Sequence, residues 1–420
     1  MYESRVTMTE IVTSSHVNVL GVAFAGTILG WIDIAAGIAA KRHASVPCVT
    51  RSVDDVAFLR PVKEGDILKI QASVNKSWKT SMEVGVKIEA ESPLTAERIF
   101  VAHAYLTFVA LSPRPKPRTY LGKHYLQYQP IAVPSIVPMN DDEKRRFDMA
   151  ERRRQGRLKR KQPDYTIIRN TMQAYAQGLQ LHQLQDAPLH SHPAFTTKTM
   201  ISSSSSVEEE KNKNESDEGN PFADSHHQQM ESNIKSPLSS TFQQRRYSMD
   251  PSMLQPFKSL NTEDSFAEVV KLVMPQHANT LGITFGGQII SWMELCALSS
   301  ANRLAKAYLL TASIDTLNFI TPTRIGDVIT IRSIISKNYT SSMEVYVSVE
   351  AENLQTGETS FTNDGFFTIT AVDKELIPVI TPHIIPQTQA EIDLYEKGDE
   401  RRNKRLLYRQ QLAELINSNH

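Results

Sequence analysis

Apolar and polar positions follow the same course twice along this chain. Residues 6–13 alternate as a short strand. A His-x-Asn turn follows, and then a dense apolar stretch over 26–43 rich in Ala and Ile. Its length and its good helix formers predict one buried helix. Alternating runs rich in β-branched residues come next, over 49–58, 67–76, 82–90 and 100–111, and predict strands. Residues 267–274, 287–306, 310–319, 328–337, 343–351 and 360–371 repeat that order. The correspondence is one of identity as well as pattern. His16, Asn18, Leu20, Gly21, Phe24, Gly26, Ile28 and Trp31 match His277, Asn279, Leu281, Gly282, Phe285, Gly287, Ile289 and Trp292 at one constant offset. The offset persists through Pro61/Pro322, Gly65-Asp66/Gly326-Asp327, the Ser-Met-Glu-Val runs at Ser81 and Ser342, and Phe100/Phe361. A gap-free match over about 90 residues, at a period too long for a solenoid, indicates two copies of one globular unit. Each unit is a strand, a long helix and about four strands. An antiparallel sheet wrapped around a single central helix satisfies that order, so the fold class is α+β.

A weaker repeat follows each unit: residues 138–154 resemble 386–402, a proline-led segment entering a charged helix that is expected to dock through few apolar contacts. The basic run through Arg152, Arg153 and Arg154 to Lys161 reads as a solvated helix face. Between the copies, 162–256 is rich in Ser, Asn, Gln and Glu and lacks the apolar residues for a core. It is expected to be a mostly disordered linker, with one weak helix near 166–186. Arg245-Arg246-Tyr247-Ser248 and Lys235-Ser236-Pro237 within it have the form of kinase sites. The expected division is therefore a first domain over 1–161, a linker over 162–256 and a second domain over 257–420.

Composition narrows the functional classes. Lys+Arg and Asp+Glu are both 46, so no global basic charge favours nucleic acid. No apolar run approaches the ~18 residues of a membrane span, and the first ten residues lack a signal peptide's apolar core. Cys48 and Cys296 are the only cysteines. They make neither a disulfide framework nor a cysteine zinc site, and their repeat partners are Leu309 and Ala35, so both read as buried small residues. His190, His192, His226 and His227 lack metal-ligand spacing, and no metal or cofactor is expected. A reducing compartment fits; the expectation is cytoplasmic, with mitochondria left open.

The chemistry lies where each turn meets its helix. A helix N-terminus offers unpaired N–H groups and partial positive charge. Gly26 and the pair Gly286-Gly287 let a carbonyl oxygen come close to that backbone, as an oxyanion site requires. Asp33 and Glu294 each stand seven residues beyond Gly26 or Gly287, within about 20° of two full turns. Each is therefore expected on the face leading to the N-terminus of its own helix, where a carboxylate can act as general base for water. Asn18 and Asn279 are candidates to orient that water or the substrate. His16 and His277 read as braces of the turn, and Trp31 and Trp292 as core.

His-x-Asn-x-x-Gly-x-x-x-(Gly/Ala)-Gly, followed by a Trp and a carboxylate on the helix, resembles the hotdog-fold acyl-CoA thioesterases. The tandem arrangement resembles their eukaryotic double-hotdog members, without the START-type lipid-binding domain that some carry. The resemblance implies two tandem hotdog domains, acyl-CoA as substrate, hydrolysis to free acid and CoA, and composite sites pairing Asn18 with Glu294 and Asn279 with Asp33. It also implies a homotrimer, a hexamer of hotdogs. Arg42, Arg51, Arg303 and Lys337 are candidates to meet CoA, with Ser81 and Ser342 on the repeated strand motif. A hotdog enoyl-CoA hydratase or dehydratase and a non-catalytic acyl-CoA sensor are the rival readings. The first asks for a catalytic His with a carboxylate partner, and His16 and His277 precede the turn, which makes it the less attractive reading.

Overall fold

Phe24 is extended, and the twenty residues after it contain no proline; α1 forms over Ala25–Ala44 and ends at Ser45, whose N–H donates to the Lys41 carbonyl at 2.8 Å. Ala35, Ala36, Ala39 and Ala40 along it are fully buried, and these small side chains let the helix lie close against a sheet. The computed structural model that shows this describes residues 2–113, 118–120, 123–125, 128–160, 163–178 and 259–417. Most of the expected linker, with Ser236, Ser248 and its histidines, lies outside the described residues.

Before α1 runs β1 (Val6–Ile11); after it come β2 (Cys48–Val53), β3 (Val56–Ala57), β4 (Ile67–Ser77), β5 (Ser81–Glu91) and β6 (Arg98–Pro113). Three short strands, β7 (Arg118–Tyr120), β8 (Lys123–Tyr125) and β9 (Tyr128–Pro130), lead to α2 (Asp141–Lys159) and α3 (Thr166–Ala176). The chain resumes with β10 (Leu260–Asn261), β11 (Ala267–Leu272), α4 (Gly286–Ala305), β12 (Tyr308–Ile314), β13 (Leu317–Asn318), β14 (Asp327–Asn338), β15 (Ser342–Asn353) and β16 (Glu358–Val372). It closes with β17 (Ile384–Ile385), α5 (Gln389–Glu396) and α6 (Gly398–Asn417).

Each copy forms an antiparallel sheet around its long helix. The first sheet runs β1-β4-β5-β6-β2-β13, with β9 added to β6, and the second β11-β14-β15-β16-β12-β3. The alternation of β4 and β5 predicted by the sequence holds in register, with Ile70 opposite Ile88 and Val74 opposite Val84, all fully buried. The run over 49–58 breaks at Asp54-Asp55 into two strands, and those strands belong to different sheets. β3 pairs with β12 of the second copy, while β13 of the second copy pairs with β2 of the first. The copies thus exchange two-residue edge strands, and each closes an edge the other would leave unpaired.

The tail helices dock chiefly through ion pairs. On α2, Arg153 and Arg157 reach the fully buried Glu83 of β5 at 2.6 and 3.1 Å, and Arg157 also meets Asp54 at 2.6 Å. On α6, Arg401 lies 2.6 Å from the equally buried Glu344, and Arg405 lies 3.0 Å from Asp315. The basic runs are not merely solvated faces, because a carboxylate buried in a sheet requires a cation at its side. The weak helix expected near 166–186 is α3. It packs Ile168 and Met172 against Ile334, Tyr346 and Phe366 of the second copy's sheet.

Candidate active site

The two central helices cross with the N-terminus of each against the middle of the other. A Cβ on Gly26 would lie 2.6 Å from the Ser291 Cα, and one on Gly287 would lie 2.7 Å from the Gly30 Cα. Both glycines therefore serve a helix–helix contact between the copies. The carboxylates lie on the expected face, that of the glycine of their own helix, and that face is turned to the other copy. Asp33 and Glu294 do not serve the N-termini of their own helices; each caps the other helix. Asp33 Oδ2 accepts from Gly287 N–H at 3.0 Å, while Glu294 accepts from Ala25 N–H at 3.1 Å and Gly26 N–H at 2.6 Å. A carboxylate at a helix N-terminus is held by free N–H groups and by the helix dipole.

Each carboxylate also accepts from a threonine hydroxyl of its own copy, Thr50 to Asp33 at 2.6 Å and Thr311 to Glu294 at 2.5 Å. Sequence reasoning missed this pair. The signal was present, since Thr50 and Thr311 stand at the same constant offset as the rest of the repeat. Both carboxylates are almost wholly buried, and burial raises the pKa of each. At Asp33 the opposing influences are the Gly287 N–H, the Thr50 hydroxyl, the Gly286 N–H and the Lys41 charge; at Glu294 they are Thr311 and the N–H groups of Gly26 and Ala25.

Around Asp33 the structure opens a cleft between the copies. Asp33, Ile34, Ile38, Lys41, Cys48, Thr50 and Phe108 line it from the first copy, and Asn279, Thr284, Phe285 and Gly286 from the second. Asn279 and Asp33 therefore share one cavity. The Asn279 side-chain oxygen accepts from Leu281 N–H at 2.9 Å and Ile283 N–H at 3.2 Å, which fixes the amide in its turn. Asn18 is fixed likewise by Leu20 and Val22, and its NH₂ donates to the Leu309 carbonyl at 3.4 Å, two residues from Thr311.

The charged and serine candidates for CoA contact are not among the residues that line that cleft. Arg42 donates to the Arg5 carbonyl at 2.8 Å, and Arg51 donates across the copies to the Phe319 carbonyl. Lys337 is buried against Asp399 at 2.8 Å and stacks over Tyr395, so its charge already has a partner. Ser81 and Ser342 begin β5 and β15, where their carbonyls accept from Trp78 and Tyr339 in the hairpin turns. Arg303 is exposed on the last turn of α4. His16 and His277 accept the backbone N–H of Thr13 and Met274 through Nδ1 and meet Trp31 and Trp292 edge-on at 4.9 and 5.0 Å. Cys48 and Cys296 are buried free thiols, pushed up to about 11 and about 12 by burial. Among the described residues no three His, Cys, Asp or Glu side chains converge as metal ligands would, and no helix is long and apolar enough to cross a membrane.

Comparison with known proteins matches both copies. A family model described as the thioesterase superfamily matches residues 20–97 and 281–358. Acyl-coenzyme A thioesterase 11 of Mus musculus is 28% identical over 405 residues, covering 96% of this chain and 53% of that protein. The uncharacterized acyl-CoA thioester hydrolase YkhA of Bacillus subtilis is 36% identical over 141 residues, which is 33% of this chain and 82% of that protein. The crystal structure of an acyl-CoA hydrolase from Bacillus cereus is 30% identical, covers 38% of this chain and 98% of its own, and superposes with a TM-score of 0.37. The chain spans about half the length of the mouse relative that it matches nearly end to end.

Proposed function

We propose a function from one premise: this chain belongs to the thioesterase superfamily, with two hotdog domains in tandem. The protein hydrolyses acyl-CoA to free acid and CoA, and the Asp33 cleft is where it does so. The observation that carries this reading is the meeting, in one cavity, of a buried carboxylate, a fixed amide and the glycine N-terminus of the opposite helix. Asp33 is the general base. It takes a proton from water as the water oxygen bonds to the thioester carbonyl carbon. The Asn279 NH₂, beside the head of α4, orients the thioester and supports the negative oxygen of the tetrahedral intermediate. When the C–S bond breaks, the CoA thiolate recovers the proton from Asp33. Thr50 positions the Asp33 carboxylate and does not touch substrate.

Glu294, Thr311, Asn18 and the Ala25-Gly26 N–H groups form the second composite set. Here the glutamate reaches one bond further and takes both helix N–H groups, and Asn18 donates to a carbonyl. Gly286 is replaced by Ala25, and the cleft residues Gly37 and Cys48 by Leu298 and Leu309. The Asp33 set is therefore the principal one. The hydratase alternative loses its base, because the Nδ1 atoms of His16 and His277 are engaged in their turns. Release of free thiol from a series of acyl-CoAs tests the reading. Turnover linear in enzyme, with stoichiometric acid and CoA, is expected; hydration of enoyl-CoA or binding without thiol release would overturn it.

A further inference from the structure

The cleft contains a charged group whose only part in this chemistry is its influence on the Asp33 carboxyl. Lys41 stands eight residues beyond Asp33 on α1, about 12 Å along the axis at 1.5 Å per residue, and lines the same cleft. Helical side chains lean toward the N-terminus, so its ammonium reaches back toward Asp33. It is half-buried, and among the described residues its side chain has no salt bridge or hydrogen-bond partner. Its neighbours differ: Arg42 donates to Arg5, and the His43 ring is hydrogen-bonded to the Pro134 carbonyl at 2.9 Å. Its charge acts on the Asp33 carboxyl from a distance, and a partly desolvated ammonium with no carboxylate in direct contact is costly, so in a ligand cleft the ligand is the natural source of that contact.

The feature belongs to one cleft only. The repeat partner of Lys41 is Asn302, and no cation is among the influences on Glu294. Between Asp33 and Lys41 the helix presents Ile34, Gly37 and Ile38, with Phe108 opposite. Gly37 has only the Phe108 ring near its missing Cβ, at 3.7 Å, and is replaced by Leu298 in the second copy. The result is a short apolar floor with the carboxylate at one end and the ammonium at the other.

Building on the hydrolysis reading, we infer that the Asp33 cleft takes acyl-CoAs whose acyl chain ends in a carboxylate, and that Lys41 binds this terminal carboxylate and determines the preference. A CoA phosphate fits the geometry less well. It is separated from the thioester sulfur by the whole pantetheine arm, which is longer than two helical turns, whereas Lys41 leans toward the reacting end. A short dicarboxylic chain spans an apolar floor of this length with its charge at Lys41.

The test compares glutaryl-CoA with its uncharged counterpart, pentanoyl-CoA, using the full chain and its Lys41→Met and Lys41→Arg variants. The readout is the ratio of kcat/KM for the two thioesters. Lys41→Met should lower that ratio about 10-fold or more, the scale of one charge-assisted hydrogen bond. Lys41→Arg should keep it within a few-fold. An unchanged ratio in Lys41→Met would overturn the inference. So would a parallel fall for both thioesters, which would place the contact on CoA. If the protein releases thiol from no acyl-CoA of the series, the hydrolysis reading fails separately. Calorimetric titration of both thioesters into the same three proteins then decides the matter: a glutaryl preference lost in Lys41→Met supports the role of Lys41, and equal affinities in the wild-type chain refute it.

Discussion

Asp33 is asked to be two things at once, a buried group and a charged one. Its burial disfavours ionisation, and the Gly287 N–H, the Thr50 hydroxyl, the Gly286 N–H and the Lys41 charge only partly offset this, so its pKa stands above the usual value. A base must be ionised to work. The acid limb of a kcat/KM profile is therefore expected above the ordinary carboxylate value of about 4, with activity rising through it and persisting at higher pH. A limb at or below about 4 would refute that placement. The same shift has a stability consequence of opposite sign. A carboxyl whose folded-state pKa is raised contributes stability at pH below its unfolded value, and this is lost as pH rises through the folded value. Asp33→Asn should thus be as stable as the parent, or more so, at neutral pH, as thermal unfolding at pH 7 would reveal. The carboxylate and its amide partner were legible in the sequence because the repeat marked them twice. Their attachment to the opposite helix was not, since spacing within one helix carries no information about which neighbour crosses it. Gly287 makes the point testable. Its missing Cβ would fall 2.7 Å from the Gly30 backbone, so Gly287→Ala must push the helices apart. A loss of about 1–3 kcal/mol in denaturant unfolding is expected; an unperturbed midpoint would show that the crossing is looser than described.

At the scale of elements, the long helices and the strands β4, β5, β6, β14, β15 and β16 were readable from periodicity, because each is long enough to show it. The exchanged strands were not. β3 and β13 are two residues each, too short to alternate, and their partners belong to the other copy. The docking of α2 was misjudged for a different reason. In a sequence, Arg153 and Arg157 look like any basic helix face, and only the fold brings them over the buried Glu83. Removing one side of a buried ion pair leaves an uncompensated charge and typically costs about 3–5 kcal/mol. Glu83→Ala strands the Arg153 guanidinium against the sheet and leaves Arg157 with Asp54 alone. Amides of α2 should then exchange hydrogen much faster than those of α6, whose anchor Glu344 is intact. Equal protection of both helices in the variant would mean that apolar contacts hold α2. The helix ends offer a change in the favourable direction. Ser45 closes α1 at a φ of +55°, a conformation that suits glycine, so Ser45→Gly should raise stability by about 1 kcal/mol.

At the scale of the whole molecule, the duplication allows one chain to supply both halves of a site. Asp33, the proposed base, and Thr50 come from the first copy, and Asn279 and the N–H groups of Gly286 and Gly287 from the second. The exchanged edge strands and the crossing glycines tie the copies together, so the described residues should unfold in a single cooperative transition. The homotrimer implied by the family resemblance is proposed on the same footing as the activity, and light scattering at three times the 47.2 kDa chain mass is its expected outcome. The central claim, that thioester hydrolysis takes place at the Asp33 cleft, is most directly tested by free-thiol release from one acyl-CoA by the parent chain, Asp33→Asn and Glu294→Gln side by side, each verified as folded. Loss of a general base costs about 10²- to 10⁴-fold. The account predicts that loss for Asp33→Asn, with Glu294→Gln retaining most of the turnover. A folded Asp33→Asn protein that releases thiol at the parent rate would contradict it.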